Sequence, residues 1–102
     1  MGAFSTSVDN AAIRGYIMRS LVKGYHFSCL VKALSNKMLS CGLVEDPDIS
    51  SQLYYLEQCH LIEFTNKSDA FNAMDNDAVV RLTVEGIRFI ENGGDPKMGI
   101  DL

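Results

Sequence analysis

Apolar positions recur along this chain with a helical period, then briefly with a strand period, then with a helical one again. Ile13, Ile17 and Leu21, with Tyr16 beside them, mark one face of a first helix, and Arg14 and Lys23 fall outside the stripe. Asp9 or Asn10 caps its start, because a short side-chain oxygen satisfies a backbone N–H that the first turn leaves free. Gly24 is placed to end it. Tyr25-His26-Phe27 has room only for a link or a stub of strand. Ser28 is the expected N-cap of a second helix carrying Leu30, Val31, Leu34 and Met38 to about Cys41, where Gly42 accepts a left-handed turn. Asp46-Pro47 then signals a third helix over roughly 47–60, since proline at the first helical position loses no needed hydrogen bond. Its inward stripe is Ile49, Leu53, Leu56 and either His60 or Cys59, and its outer face shows Asp48, Ser51, Tyr54, Tyr55 and Gln58.

Beyond the third helix the period shifts towards two. Leu61-Ile62-Glu63-Phe64-Thr65 and Val79–Thr83 suit strands, joined through the polar, turn-rich "NKSDAFNAMDND" into a hairpin with a long loop. A closing helix from Glu85 to Asn92 offers Ile87 and Phe89 or Ile90 to the core, and Gly93-Gly94-Asp95-Pro96 stops it. A hairpin alone is marginal; a helix folded back from its second strand gives that strand something to pack on. The order helix, helix, helix, strand, strand, helix predicts a mainly α domain with a small β-hairpin. That is a winged helix-turn-helix: a three-helix core, a two-stranded wing and a C-terminal helix. One domain spans 1–102, with its core over about 10–92 and a tail over 93–102.

Two stretches, "LYYLEQCHLIEF" and "VVRLTVEGIRFIE", resemble bacterial winged-helix proteins, in which a Leu-x-x-L pattern closes the third helix and "LT-x-x-G" follows the second wing strand. The matching residues are Leu53, Leu56, Leu61, Ile62, Leu82, Thr83 and Gly86. The resemblance implies that Thr83 caps the last helix and that Gly86 allows close packing in its first turn. More narrowly, Arg81-Leu82-Thr83, Gly86, Asp95-Pro96 and Gly99-Ile100 resemble a small winged-helix family of Mu-like prophages, with Lys97-Met98 intervening here between Asp-Pro and Gly-Ile. That family has no established activity, so this likeness implies fold and prophage origin alone.

Composition narrows the classes. At 102 residues and 47% hydrophobic, the chain has the make-up of a folded single domain. No apolar run approaches the roughly 20 residues of a membrane span. The start "MGAFSTSVDN" lacks the basic and apolar regions of a signal peptide, so a cytoplasmic location is expected. Cys29, Cys41 and Cys59 are odd in number and lack CxxC spacing, which predicts reduced thiols. His26 with Cys29, and Cys59-His60, stand at unrelated spacings and read as packing residues, with no metal or cofactor implied. No nucleophile, base and orienter can be assembled and no phosphate loop is present, so the chain is not expected to be an enzyme.

Charge is distributed unevenly. The net charge is −4, yet residues 1–40 hold five bases and one acid, Asp9. Residues 41–102 hold four bases and twelve acids, and no Lys or Arg lies between Lys37 and Lys67. Two functional expectations follow. As a small transcriptional regulator, the protein would bind double-stranded DNA, reading bases with Ser51, Tyr54, Tyr55 and Gln58 and touching phosphates with Lys32, Lys37, Lys67 and Arg81. Arg14 and Arg19, on the flanking first helix, are further phosphate candidates. Against it, the third helix carries Asp48 and Glu57 and no cation, whereas DNA affinity rests largely on cations. The alternative is a protein-interaction module, a phage accessory or assembly protein, docking a partner on the acidic third helix through its two tyrosines. Plainer readings are that the bases are solvated helix faces and that one tyrosine roofs the core. Met98, Ile100 and Leu102 are candidates for a homodimer contact if the tail crosses to a second copy.

Overall fold

A computed structural model describes residues 10–65 and 67–102 of the chain; Asp9, one of the two expected caps, lies outside the described residues. Four α-helices and a three-stranded antiparallel sheet follow in the order α1 (Asn10–Lys23), β1 (Ser28–Leu30), α2 (Val31–Ser40), α3 (Ser50–Gln58), β2 (Ile62–Phe64), β3 (Val79–Leu82) and α4 (Val84–Glu91). The sheet order is β1-β3-β2. This mixed α/β layout is consistent with a winged-helix-like arrangement. Among the described residues, no helix is long and apolar enough to cross a membrane.

The expected stripes fill the core. Ile13, Ile17, Met18 and Leu21 of α1 meet Val31, Leu34 and Met38 of α2, Leu53 and Leu56 of α3, and Val80 and Leu82 of β3, all buried. Buried Ser35 donates to the Pro47 carbonyl at 2.6 Å, so its hydroxyl is satisfied while it ties α2 to the turn before α3. Gly42 ends α2 with φ +79°, as its position suggested.

Two expectations need correction. Ser28 does not cap α2. It begins β1, paired with Arg81 of β3, while Cys29 faces Val80 and Leu30 faces Val79. The sheet therefore has three strands, and α2 starts after Leu30, which stands partly exposed in the strand and outside the helical stripe. Next, α3 starts at Ser50 and not at Pro47. The Asp46 carboxylate accepts the Asp48 N–H, and the Asp48 carboxylate accepts both the N–H and hydroxyl of Ser50. These side-chain bonds hold the backbone in turns that compete with helix. Of Cys59 and His60, Cys59 packs on the core; His60 is exposed and holds the left-handed position after α3, with φ 63°. The long hairpin loop, as expected in length, coils back on the domain. Thr65 clasps its base by bonding Val79 through both backbone and hydroxyl. Asp69 and Asn72 bond each other's amides in a tight turn, and Ala70, Ala73 and, at the loop's end, Ala78 are buried in the core.

The closing helix matches the expectation at its start. Thr83 accepts the Gly86 N–H at 3.0 Å and donates to the His60 carbonyl at 2.6 Å, which couples α4 to the end of α3. A Cβ on Gly86 would sit 2.2 Å from the Leu61 carbonyl oxygen, so a side chain there would force α4 away from the backbone that leads into β2.

Candidate functional site

The outer face of α3 and the coiled loop beside it form one surface. Tyr54 emerges from α3 and meets Phe71 of the loop, with ring centroids 5.4 Å apart and planes tilted by 39°. Both stay open to solvent, at 46% and 64%. Ser51 and Gln58 are also exposed on this helix. Tyr55, expected beside them, instead turns towards the tail. Its hydroxyl donates to the Met98 carbonyl, and the Arg14 guanidinium lies 3.6 Å above its ring. Tyr55 is thus the tyrosine of the pair with a structural task.

Carboxylates surround the aromatic pair. Glu57 of α3 and Asp69 of the loop are close enough that desolvation, and then the Asp69 charge, push the Glu57 carboxyl above its ordinary range. At the start of α3 the hydrogen bonds from Ser50 hold Asp48 below its ordinary range, fixing it as an anion. Two cavities open here. One, of about 320 Å³, lies between the loop and the start of α3, with Leu53 and Met74 in its lining and Asp48 and Asp75 among its acids. The other, of about 500 Å³, lies across the Asp46–Ile49 turn, with Ile13 and Leu43 in its lining and Glu45 and Asp46 among its acids. Neither is lined by Lys, Arg or His.

The expected phosphate contacts are scattered and partly engaged. Lys32 and Lys37 are exposed on α2, and Lys67 is exposed at the loop's start. Arg81 pairs across the sheet with Glu63 at 2.5 Å. Arg14 donates to Gln52 and to the Gly99 carbonyl, and Arg19 donates to the Asp101 carbonyl. The tail these arginines hold lies on its own chain: Ile100 is buried in the core, Met98 packs against it, and Leu102 stays partly exposed. A contact through Ile100 would first require pulling it from its own core.

Phe71, Met74 and Asp75 were not singled out by sequence reasoning. Their signal was an apolar pair, Phe71 and Met74, at helical spacing inside an otherwise polar loop. Among the described residues, no three His, Cys, Asp or Glu side chains are grouped to hold a metal ion. Cys29 and Cys59 are half-buried, Cys41 is exposed, and all three are free thiols. Comparison of the chain with models of known families, with curated proteins and with solved structures found no match.

Proposed function

We propose that this chain is a winged-helix-like interaction module that docks a basic protein segment on the face made by α3 and the hairpin loop. The observation that carries this reading is the exposed Tyr54–Phe71 pair set among Asp48, Glu57, Asp69 and Asp75, beside cavities that no cation lines. Tyrosine and phenylalanine supply contact area at little entropic cost, and carboxylates around them select a cationic partner. The same face would repel a phosphate backbone, because neutralising phosphates with cations is the main source of DNA affinity. The prophage likeness belongs to the same proposal. It rests on Arg81-Leu82-Thr83, Gly86, Asp95-Pro96 and Gly99-Ile100 of the sequence.

A second reading keeps DNA as the partner but moves the contact to α2. No acid occurs from Asn10 to Val44, and in that stretch the side chains of Lys23, Lys32 and Lys37 are exposed and make no hydrogen bond or ion pair among the described residues. One experiment separates the two. Fluorescence anisotropy is measured with labelled duplex DNA and with a labelled oligoarginine peptide, each at low and at physiological salt. The interaction reading expects the peptide to bind, with loss on Tyr54→Ala/Phe71→Ala, and the duplex to remain free. Duplex binding at low salt that Lys32→Ala/Lys37→Ala abolishes would replace it with the second reading.

A further inference from the structure

The two cavities beside α3 are neighbours: Asp48 and Ile49 line both, so the Asp46–Ile49 turn is the ridge between them. Their chemistry repeats. The first sets Asp48 and Asp75 over Val31, Leu53 and Met74, with Phe71 as a wall. The second sets Glu45, Asp46 and Asp48 over Ile13, Leu43 and Val44. Asn10, Ser51 and Gln52 also line the second, so it is the more polar of the two; each combines apolar side chains with carboxylates and has no basic residue. A side chain that suits such a site has an apolar stem and a cationic head, which describes arginine and lysine.

We infer that the two cavities take two long basic side chains of one extended segment that crosses the Asp46–Ile49 ridge. This rests on the reading of the face as a protein-docking surface, and it specifies the occupant. An apolar segment seated here would desolvate Glu45, Asp48 and Asp75 with no charge to answer them, which is costly. A phosphate or other anion meets only like charge. A cationic side chain in the first cavity gains contact with Phe71 as well as with the carboxylates. Each surface ion pair alone is weak. Two anchors on one segment reinforce each other, because seating the first makes the second intramolecular.

The test uses the full chain and labelled peptides of serine and alanine that carry one arginine, two arginines, or two glutamates. The two arginines are spaced from about two to about six residues apart, each extended residue adding roughly 3.3 Å. Anisotropy should show at least one two-arginine peptide binding roughly tenfold or more tightly than the one-arginine peptide, with no binding of the glutamate peptide. Asp75→Asn and Glu45→Gln, at residues with no hydrogen bond or ion pair among the described residues, should each weaken it about threefold. Asp48→Asn, which keeps an acceptor for Ser50, should weaken it more, since Asp48 serves both cavities. Amide chemical shifts should move over residues 45–53 and 70–75. Two-arginine peptides no tighter than the one-arginine peptide, or shifts confined to other elements, would overturn the two-cavity inference. So would a peptide lost on Tyr54→Ala/Phe71→Ala but indifferent to Asp75→Asn and Glu45→Gln, an outcome that leaves the interaction reading standing. Failure of every basic peptide to bind would end both.

Discussion

Gly15 gives the sharpest prediction about what holds this fold together. It lies in the middle of α1, where alanine is ordinarily better by about 1 kcal/mol. A Cβ there, however, would stand 1.7 Å from the Asp101 carbonyl oxygen and 2.6 Å from its carbon. Both atoms are backbone, so the tail itself must move. Its docking comprises the buried Ile100 side chain, the Asp101 N–H to Ala11 carbonyl bond at 3.0 Å, and the bonds from Arg14, Arg19 and Tyr55 to tail carbonyls. Burial of one isoleucine contributes about 2 kcal/mol, and partly exposed hydrogen bonds about 0.5 kcal/mol each. Undocking therefore costs roughly 3–4 kcal/mol, offset by about 1 kcal/mol of helix propensity. Gly15→Ala should destabilise the full chain by about 2–3 kcal/mol, lowering the melting temperature by roughly 10 °C or more. In a chain ending at Gly94 the clash has no partner, and the same substitution should stabilise by up to about 1 kcal/mol. Urea unfolding of the four proteins measures both changes. Equal effects in the two backgrounds, or a full-length Gly15→Ala as stable as the parent, would refute the docked tail.

Thr83→Ala should cost about 1–2 kcal/mol in urea unfolding, because it removes the α4 cap and the bond to the His60 carbonyl together; Thr83→Ser should recover most of it. Glu57 has a folded-state carboxyl raised by desolvation and by Asp69, so the folded form holds its proton more firmly than the unfolded form. The ionised group thus opposes folding, and stability from it falls as pH rises from the ordinary carboxylate range through the raised value. Glu57→Gln should then be slightly more stable than the parent at neutral pH, by less than about 0.5 kcal/mol given solvent screening, with the difference closing in acid. A pH-independent difference would contradict this. Burial raises the Cys29 thiol, an effect that Lys37 offsets only in part, and the thiolate is the reactive form. Iodoacetamide should therefore alkylate exposed Cys41 first and Cys29 well after it, as read by peptide mass spectrometry; equal rates would show that Cys29 is not shielded.

The parts of the fold legible in the sequence were those set by a local rule. The stripes of α1 and α2, the glycine stop at Gly42 and the cap at Thr83 each depend on residues a turn or two apart. What escaped depends on distant partners. Ser28 has the chemistry of a cap, and only the free edge of β3 makes it a strand residue. Ala70, Ala73 and Ala78 carry too little hydropathy to stand out in a polar loop, yet tertiary packing buries all three. Tyr54 and Tyr55 are adjacent and chemically alike. A carbonyl some forty residues downstream, at Met98, separates the exposed one from the engaged one.

That separation bears on function through the arginines. Specific DNA readers depend heavily on guanidinium groups, which bond guanine edges and phosphates in pairs. The chain has four arginines, and every one is hydrogen-bonded within it: Arg14 and Arg19 to the tail, Arg81 to Glu63, and Arg88 to Glu85. The two ion pairs are exposed, and exchanging either for a phosphate would cost little. Neither stands on α3, however. Arg14 does contact α3, through Gln52 and Tyr55, but releasing it would loosen the same tail that seats Ile100 in the core. The outer face of α3 is thus left with Ser51, Tyr54 and Gln58 against carboxylates at Asp48, Glu57 and Asp69. Charge of that sign around exposed aromatic rings is what the proposed cationic partner would meet, and what a phosphate backbone would have to overcome.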